Sequence, residues 1–186
     1  MTRRYWFPKP YADAVAKLRV VAGFLLVGLF VWLARPSFES LAMGVAVSAV
    51  GLFIRGWAAG HLAKNEQLAV TGPYAYVRNP LYLGTLVVAA GFVIAAQQPV
   101  LALVFAAVFI FIYLPVIEQE EQHLRKLFPQ YAGYASRVPL LLPRLTPLSR
   151  GRFRRDLYIR NQEYQALLGF LAGIAILAWK AWAAGS

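Results

Sequence analysis

The sequence has the length and composition of a small membrane protein. Its 186 residues are 60% hydrophobic, with 19 Lys and Arg against eight Asp and Glu, and this balance excludes an ordinary soluble domain. In a membrane protein, the net charge of +11 indicates basic loops at anionic lipid headgroups rather than a nucleic-acid-binding surface. The absence of cysteine excludes disulfides, thiolate metal sites and a cysteine nucleophile.

The N-terminal third predicts an interfacial segment followed by two spanning helices. Residues 1–19 combine five Lys or Arg with tyrosine, tryptophan and phenylalanine, a mixture typical of a membrane interface. Residues 20–34 are apolar and end at Arg35-Pro36. Because no convincing small-residue cleavage site follows, we interpret them as a spanning helix rather than a signal peptide. Residues 41–59 form the second apolar run.

Three further apolar runs follow. Residues 81–96 and 100–117 flank Gln97-Gln98-Pro99 and predict a helical hairpin. Its arms are short for the ~20 residues of a bilayer crossing, so we expect them to extend into the flanking polar residues. Residues 118–164 are polar and basic, and residues 165–183, which contain the last apolar run, predict a C-terminal helix.

We therefore predict an all-α integral membrane protein with five transmembrane helices in a single membrane domain over residues 1–186. Lys and Arg number five in residues 1–19, three in 55–80 and nine in 118–164, which is 17 of the 19. The positive-inside rule then predicts a cytoplasmic N-terminus and a C-terminus outside. The residue usage fits a bacterial inner membrane, and the sequence leaves the oligomeric state open.

The most unusual stretch is residues 72–84, Gly-Pro-Tyr-Ala-Tyr-Val-Arg-Asn-Pro-Leu-Tyr-Leu-Gly. Neither a buried core nor a lipid-facing helix requires this mixture. Gly72-Pro73 predicts a turn, and Asn79-Pro80 predicts a helix start with Asn79 as the N-cap. Such a start presents the positive end of the helix dipole to an anionic group. An ordinary re-entry turn of the chain is the alternative.

An acidic cluster follows the predicted hairpin. Three of the eight acids fall within residues 118–121. Two crossings separate them from Gly84, so the chain returns to the face that it left, and the glutamates become predicted neighbours of the helix start at Asn79. Together these groups suit a small zwitterion with extra positive charge. The alternative is that Glu121 pairs with Arg125 on a solvated helix extension.

Several motifs occur in a characteristic order: the 72–84 stretch, a two-helix hairpin, Glu-Glu-x-x-Leu at 120–124, and Phe128-x-x-Tyr131-x-x-Tyr134. In type, order and spacing they resemble the isoprenylcysteine carboxyl methyltransferase family of integral-membrane enzymes and its phospholipid N-methyltransferase relatives. The resemblance covers a core region over roughly residues 40–145. The N-terminal segment and the final helix carry no motif.

This resemblance implies S-adenosylmethionine bound at the cytoplasmic face, between the loop before the third helix and the extension after the fourth. A lipophilic acceptor, with a carboxylate or an amine, would arrive from the bilayer. The resemblance and the side-chain chemistry together predict as cofactor-binding residues Glu66, Leu68, Gly72, Tyr74, Arg78, Asn79, Pro80, Leu81, Tyr82, Gly84, Glu120 and Glu121. Asn79 and Glu121 are the predicted catalytic residues, and no metal site is expected.

Two positions depart from the family pattern. Asn79 stands where the family usually has the His of Arg-His-Pro, so a role that needs an imidazole is in question while a hydrogen-bond donor remains. Val116 stands where eukaryotic members carry a substrate-contacting arginine, which argues against a prenylcysteine carboxylate as the acceptor. No acid/base triad is needed, because methyl transfer from a sulfonium mainly requires alignment and exclusion of water.

Side-chain chemistry agrees with this reading. Tyrosine faces within residues 74–82 suit a sulfonium, a glutamate of the 120–121 pair suits an amino group, and Arg78 or the helix start suits a carboxylate. Two other functions fit parts of the sequence. An NADPH-dependent membrane reductase of carbon–carbon double bonds would use the basic groups at 125–160, but it usually needs more helices. A non-enzymatic membrane protein would use the motifs only to stabilise a hairpin. Membrane lipids are expected partners in each case.

Overall fold

The structure, a computed structural model, describes residues 6–145 and 151–185, which form helices and connecting segments without a strand. Arg3, Arg4 and Tyr5 of the predicted interfacial segment lie outside the described residues. The helices described are α1 (Lys9–Leu33), α2 (Phe38–Ala59), α3 (Pro80–Ala96), α4 (Pro99–Leu127), α5 (Tyr131–Ala135), α6 (Arg155–Arg160) and α7 (Tyr164–Gly185).

Three of these helices are long and apolar enough to cross a membrane, namely α2, α4 and α7. A fourth is α1 if its two parts, Lys9–Leu18 and Val20–Leu33, which meet at a bend of 55°, form one span. Helix α3 is apolar but has 17 residues. The chain is thus an α-helical integral membrane protein, with three or four helices of spanning length among the residues described.

Contacts between residues distant in sequence define two ends of the helix bundle. At one end the Arg35 N–H donates to the Ala96 carbonyl at 2.9 Å, and Lys180 donates to carbonyls in the last turns of α1. At the other end the Tyr82 hydroxyl donates to Glu120 Oε1 at 2.9 Å. The first turn of α3 and the polar extension of α4 therefore lie side by side, as the predicted hairpin requires. We call this second end the site end.

Helices α2 and α3 pack in close antiparallel contact because glycines on both helices meet. A Cβ at Gly44 would lie 2.4 Å from the Gly91 carbonyl oxygen, and one at Gly51 would lie 2.6 Å from the Gly84 oxygen. Small residues let membrane helices approach closely and gain packing contacts. This contact fixes the position of α3 along the axis of α2, and so places the start of α3 at the site end.

Helix α4 continues well past the apolar run that ends at residue 117, as the expected extension into polar residues requires. Within it, Phe109–Tyr113 form a π-helical turn just before Pro115. Proline has no N–H to donate within a helix. The Phe111 carbonyl instead accepts a hydrogen bond from the Tyr11 hydroxyl at 2.5 Å. The acidic cluster therefore lies on the same continuous helix as the fourth apolar run.

The described part of the predicted interfacial segment also contacts the site end. The N–H groups of Trp6 and Phe7 donate to the two oxygens of Glu118 at 2.7 and 3.1 Å, and Gln119 donates to Asp13 at 2.7 Å. Glu118, the first member of the acidic cluster, thus binds the N-terminal segment.

Candidate functional site

The predicted turn is a 3₁₀ turn over Gly72–Ala75. Gly72 has φ of +58°, and a Cβ at this position would lie 2.6 Å from atoms of the His61 ring. Both the left-handed backbone and the ring contact require glycine here. The His61 ring is held by a 2.9 Å hydrogen bond between Nδ1 and the Trp57 carbonyl. The turn is therefore packed against the end of α2.

Helix α3 begins as predicted, with Asn79 at the N-cap position and Pro80 at the first helical position. The expected side-chain cap is wrong, because Asn79 Nδ2 donates to the Leu140 carbonyl at 3.4 Å instead of its oxygen accepting from α3. The Arg78 N–H donates to the Pro139 carbonyl at 2.9 Å. The side chain of Asn79 thus fastens a distant segment, and leaves the positive end of the α3 dipole for another partner.

Arg78 and Glu121 form a buried ion pair with 2.7 Å between Nε and Oε1 and side-chain exposures of 8% and 9%. Arg78 Nη1 also donates to the carbonyls of Ala135 and Val138, at 2.6 and 3.1 Å. The predicted alternative pairing of Glu121 with Arg125 is replaced by this contact. Since one carboxylate and two carbonyls bind the guanidinium, the pair joins the start of α3 to α4 and α5.

A cavity of about 550 Å³ opens beside this pair at the site end. Its lining comes from the loop after α2, the turn and first residues of α3, the extension of α4 and the aromatic residues that follow it. Small-molecule sites commonly have volumes of about 300–1,000 Å³. The predicted residues in its lining are Leu68, Tyr74, Arg78, Asn79, Pro80, Leu81 and Glu120.

The other predicted residues surround this lining. Tyr82 holds Glu120 through the hydroxyl contact given above, and Gly84 packs against α2. Glu66 forms an exposed ion pair with Arg160, whose hydrogen bond and charge lower the pKa of the Glu66 carboxyl. Gly72 and Glu121 act in the turn and the buried pair. Their roles toward a ligand stay predictions.

Three buried tyrosines form an aromatic wall. Burial raises the pKa of Tyr74, Tyr131 and Tyr134 well above the ordinary value, because a phenolate loses its hydration there. The Tyr134 hydroxyl donates to the Tyr74 carbonyl at 2.7 Å. These phenols stay neutral at physiological pH, so they offer hydrogen bonds and ring faces rather than a base. Within residues 6–145 and 151–185, no cluster of three or more His, Cys, Asp or Glu is placed to hold a metal.

Sequence reasoning missed several polar residues in the lining, among them His123, Asn161 and Glu163. Glu163 binds Arg55 with 2.6 Å between Nε and Oε1 and 3.0 Å between Nη2 and Oε2. A signal for this pair existed, since an arginine inside an apolar run requires a partner. Glu163 is an acid just before the last apolar run.

The chain is similar to one family model and to several curated proteins. Residues 18–131 match the phospholipid methyltransferase model. The chain is 35% identical over 143 residues to the cobalt-zinc-cadmium resistance protein CzcN of Cupriavidus metallidurans, and 31% identical over 138 residues to the nickel-cobalt-cadmium resistance protein NccN of Alcaligenes xylosoxydans xylosoxydans. These matches cover 72% and 69% of this chain, and 64% and 63% of the relatives.

A plant protein is also similar. The chain is 28% identical over 118 residues to protein-S-isoprenylcysteine O-methyltransferase B of Arabidopsis thaliana, a match that covers 60% of each chain. The chain therefore spans less than two thirds of the length of these relatives. No solved structure matches it.

Proposed function

Because the chain belongs to the phospholipid methyltransferase family, we propose that it is a membrane methyltransferase that uses S-adenosylmethionine to methylate a lipophilic acceptor carrying a carboxylate or an amine. One observation carries this proposal. The turn before α3 and the extension of α4, which are far apart in sequence, line a single cavity of about 550 Å³. Similarity to a named isoprenylcysteine methyltransferase supports the same class of reaction.

The lining fits a cofactor with one flat apolar end and one zwitterionic end. Leu62, Leu68 and Phe128 offer apolar surface for an adenine ring. Glu120 offers a carboxylate for an ammonium group, and the start of α3 offers a positive dipole end for a carboxylate. When bound, S-adenosylmethionine supplies an activated methyl group, whose bond to sulfur breaks as an acceptor lone pair bonds to the carbon.

We assign the residues of the chain as follows. Glu120, oriented by the Tyr82 hydroxyl, binds the cofactor amino group. Asn79 donates a hydrogen bond near the acceptor, and Glu121 acts through Arg78 by fixing the wall that carries Asn79. The remaining proposed cofactor contacts are Leu68, Tyr74, Pro80 and Leu81. The aromatic wall excludes water and presents ring faces to positive charge.

We also propose five membrane crossings, by α1, α2, α3, α4 and α7, with the site end in the cytoplasm of a bacterium. Helix α3 is short, but it lies along α2 from Gly84 to Gly91. The chain has no cysteine, so single-cysteine variants are clean probes of orientation. A membrane-impermeant thiol reagent should label Glu39→Cys from outside intact cells, and should label Gln130→Cys only after lysis. The reverse pattern would overturn the orientation.

Titration of the purified chain tests the proposed activity. We expect saturable binding of S-adenosylmethionine and of its demethylated product, S-adenosylhomocysteine, and about tenfold or greater weakening by Glu120→Ala. Binding of NADPH with no response to either methionine-derived ligand would move the assignment to a reductase. Absence of binding to all three would contradict an enzyme of either kind. Transfer of a tritiated methyl group to extracted membrane lipids would then identify the acceptor.

A further inference from the structure

Residues 151–163, which we call the strap, lie across the loop that follows α2. The Arg154 N–H donates to the Gly60 carbonyl at 2.9 Å. Phe153 packs on Gly60, where a Cβ would lie 2.1 Å from its ring, and its ring meets the His61 ring edge to face at 6.3 Å between centroids. His61 is the residue that supports the Gly72 turn. Through His61, the strap therefore supports the turn at Gly72–Ala75, which contributes to the cavity lining.

The strap also supplies part of the cavity lining. Asn161 Nδ2 donates to the carbonyls of Ala59 and Leu62, at 3.0 and 2.8 Å, so it satisfies the end of α2 and holds the chain as it leaves that helix. Asn161 and Glu163 both line the cavity. Both lie beyond residue 131, where the match to the family model ends.

The end of the strap is fastened by charge. Glu163 is 8% exposed, and both of its carboxylate oxygens bind the Arg55 guanidinium. Arg55 Nη1 donates further to Thr85 Oγ1 at 2.5 Å and to the Leu81 carbonyl at 3.3 Å. One guanidinium thus joins α2, the first turns of α3 and the end of the strap. Leu81, on the same turn, also lines the cavity.

We propose that the strap closes the cofactor cavity and that the Arg55–Glu163 pair sets its position, which makes Glu163 a positioning residue for the cofactor. This inference rests on the proposed function. Glu163 is not assigned as a direct ligand because Arg55 already engages both of its oxygens. The bidentate geometry fixes the carboxylate plane as well as its distance. Loss of either partner should move Asn161 and Leu81, and with them two parts of the lining.

The test uses the purified full chain in detergent. Calorimetric titration with S-adenosylhomocysteine should show about tenfold or greater loss of affinity for Glu163→Gln, and a similar loss for Arg55→Lys, which keeps the charge but not the fork. The double variant should bind S-adenosylhomocysteine no more weakly than the weaker-binding single variant, because each substitution removes the same interaction. Asp156→Asn is the matched control, since Asp156 lies on the strap but is exposed and pairs only with Arg154 among its described ion-pair partners.

Hydrogen exchange supplies a measurement that does not depend on any variant being folded. In the wild-type chain, S-adenosylhomocysteine should slow amide exchange over residues 151–163 as well as over the turn at 72–75. Wild-type binding with unchanged exchange in the strap would overturn the inference and leave the proposed function intact. So would affinities of Glu163→Gln and Arg55→Lys within about twofold of wild type. A wild-type chain that binds no S-adenosylhomocysteine contradicts the proposed function itself, and the cofactor role of the strap with it.

Discussion

Two ion pairs stabilise two walls of the cavity, and they differ in sequence separation, in burial and in their position relative to the region that matches the family model. Arg78 and Glu121 are 43 residues apart, both lie within the region that matches the family model, and both are nearly inaccessible to solvent. Arg55 and Glu163 are 108 residues apart, and Glu163 lies beyond that region. Arg55 retains 23% exposure.

The two pairs therefore have different roles: the first supports the walls of the site, and the second holds the strap over it. The first pair links the α3 start to α4 and α5, so the shape of the cavity depends on it. The second pair links a membrane helix to the strap, which covers a loop that α2 and α3 already position. We therefore expect loss of the first pair to affect folding, and loss of the second to affect mainly the ligand.

The variant Arg78→Met should have the largest effect. It leaves Glu121 as a buried carboxylate without its partner and removes two hydrogen bonds to carbonyls. Breaking a buried pair in this way costs about 3–5 kcal/mol of the free energy of unfolding. We expect little folded protein, or a strongly lowered unfolding temperature in detergent. Arg55→Met should lower the free energy of unfolding by less, because Arg55 is partly solvated.

The control for this prediction is the double variant Arg78→Met with Glu121→Met. Replacing both charges by apolar side chains of similar length removes the stranded carboxylate. The unfolding temperature should recover in large part, while binding of S-adenosylhomocysteine does not. A double variant as unstable as Arg78→Met would show that the carbonyl contacts, and not the charge pairing, hold this wall.

The same contrast explains what the sequence could predict of the site. The turn at Gly72, the start of α3 and Glu120 are close in space because two apolar runs of similar length must return the chain to one face. That inference needs only the lengths of the apolar runs and the spacing between the motifs. The partner of Arg55 could not be named, because pairing over 108 residues leaves no local pattern. The predicted side-chain cap at Asn79 was wrong for a related reason, because the Asn79 side chain donates to the carbonyl of the distant residue Leu140 instead.

For the fold, apolar runs predicted every long helix, because lipid requires continuous apolar surface and internal backbone hydrogen bonds. They did not predict which faces meet. Gly51 and Gly84 make the close α2–α3 contact, but glycines at helical spacing are frequent in such sequences and do not select a partner. Nor did they predict that α1 meets α4, where the Tyr11 hydroxyl donates to the Phe111 carbonyl.

Substitution of Gly84 by alanine should disturb the second pair without removing a charge. A Cβ at this position would lie 2.5 Å from Arg55 Cγ and 2.7 Å from the Gly51 carbonyl oxygen. Such overpacking costs about 1–3 kcal/mol. We expect a moderately lowered unfolding temperature and weaker binding of S-adenosylhomocysteine, because Arg55 must shift away from Glu163. Gly133→Ala, where a Cβ meets open space among the described residues, should change neither measurement.

The variant Tyr82→Phe should have a smaller effect, on the ligand rather than on the fold. It removes the hydroxyl that donates to Glu120 and keeps the ring contact with Tyr113. A single hydrogen bond contributes about 0.5–1.5 kcal/mol, so affinity for S-adenosylhomocysteine should fall about two- to tenfold at an unchanged unfolding temperature. Tyr76→Phe, which keeps the contact of its ring with Trp57, is the control. Equal losses in both variants would remove Glu120 from the binding assignment.

The smallest effect is expected from Glu66→Gln, which breaks the exposed pair that joins the loop after α2 to α6. The Arg160 contact lowers the pKa of Glu66 below its ordinary 4.5. A lowered pKa in the folded state stabilises the fold above pH 4.5 and ceases to do so as the pH falls below that value. Solvent and salt screen such a pair, so the unfolding temperatures of wild type and Glu66→Gln should nearly coincide at neutral pH, and the small difference should shrink as the pH falls below 4.5. A loss of S-adenosylhomocysteine affinity in Glu66→Gln as large as that in Glu163→Gln would show that surface charge, rather than the buried Arg55–Glu163 pair, holds the strap in place.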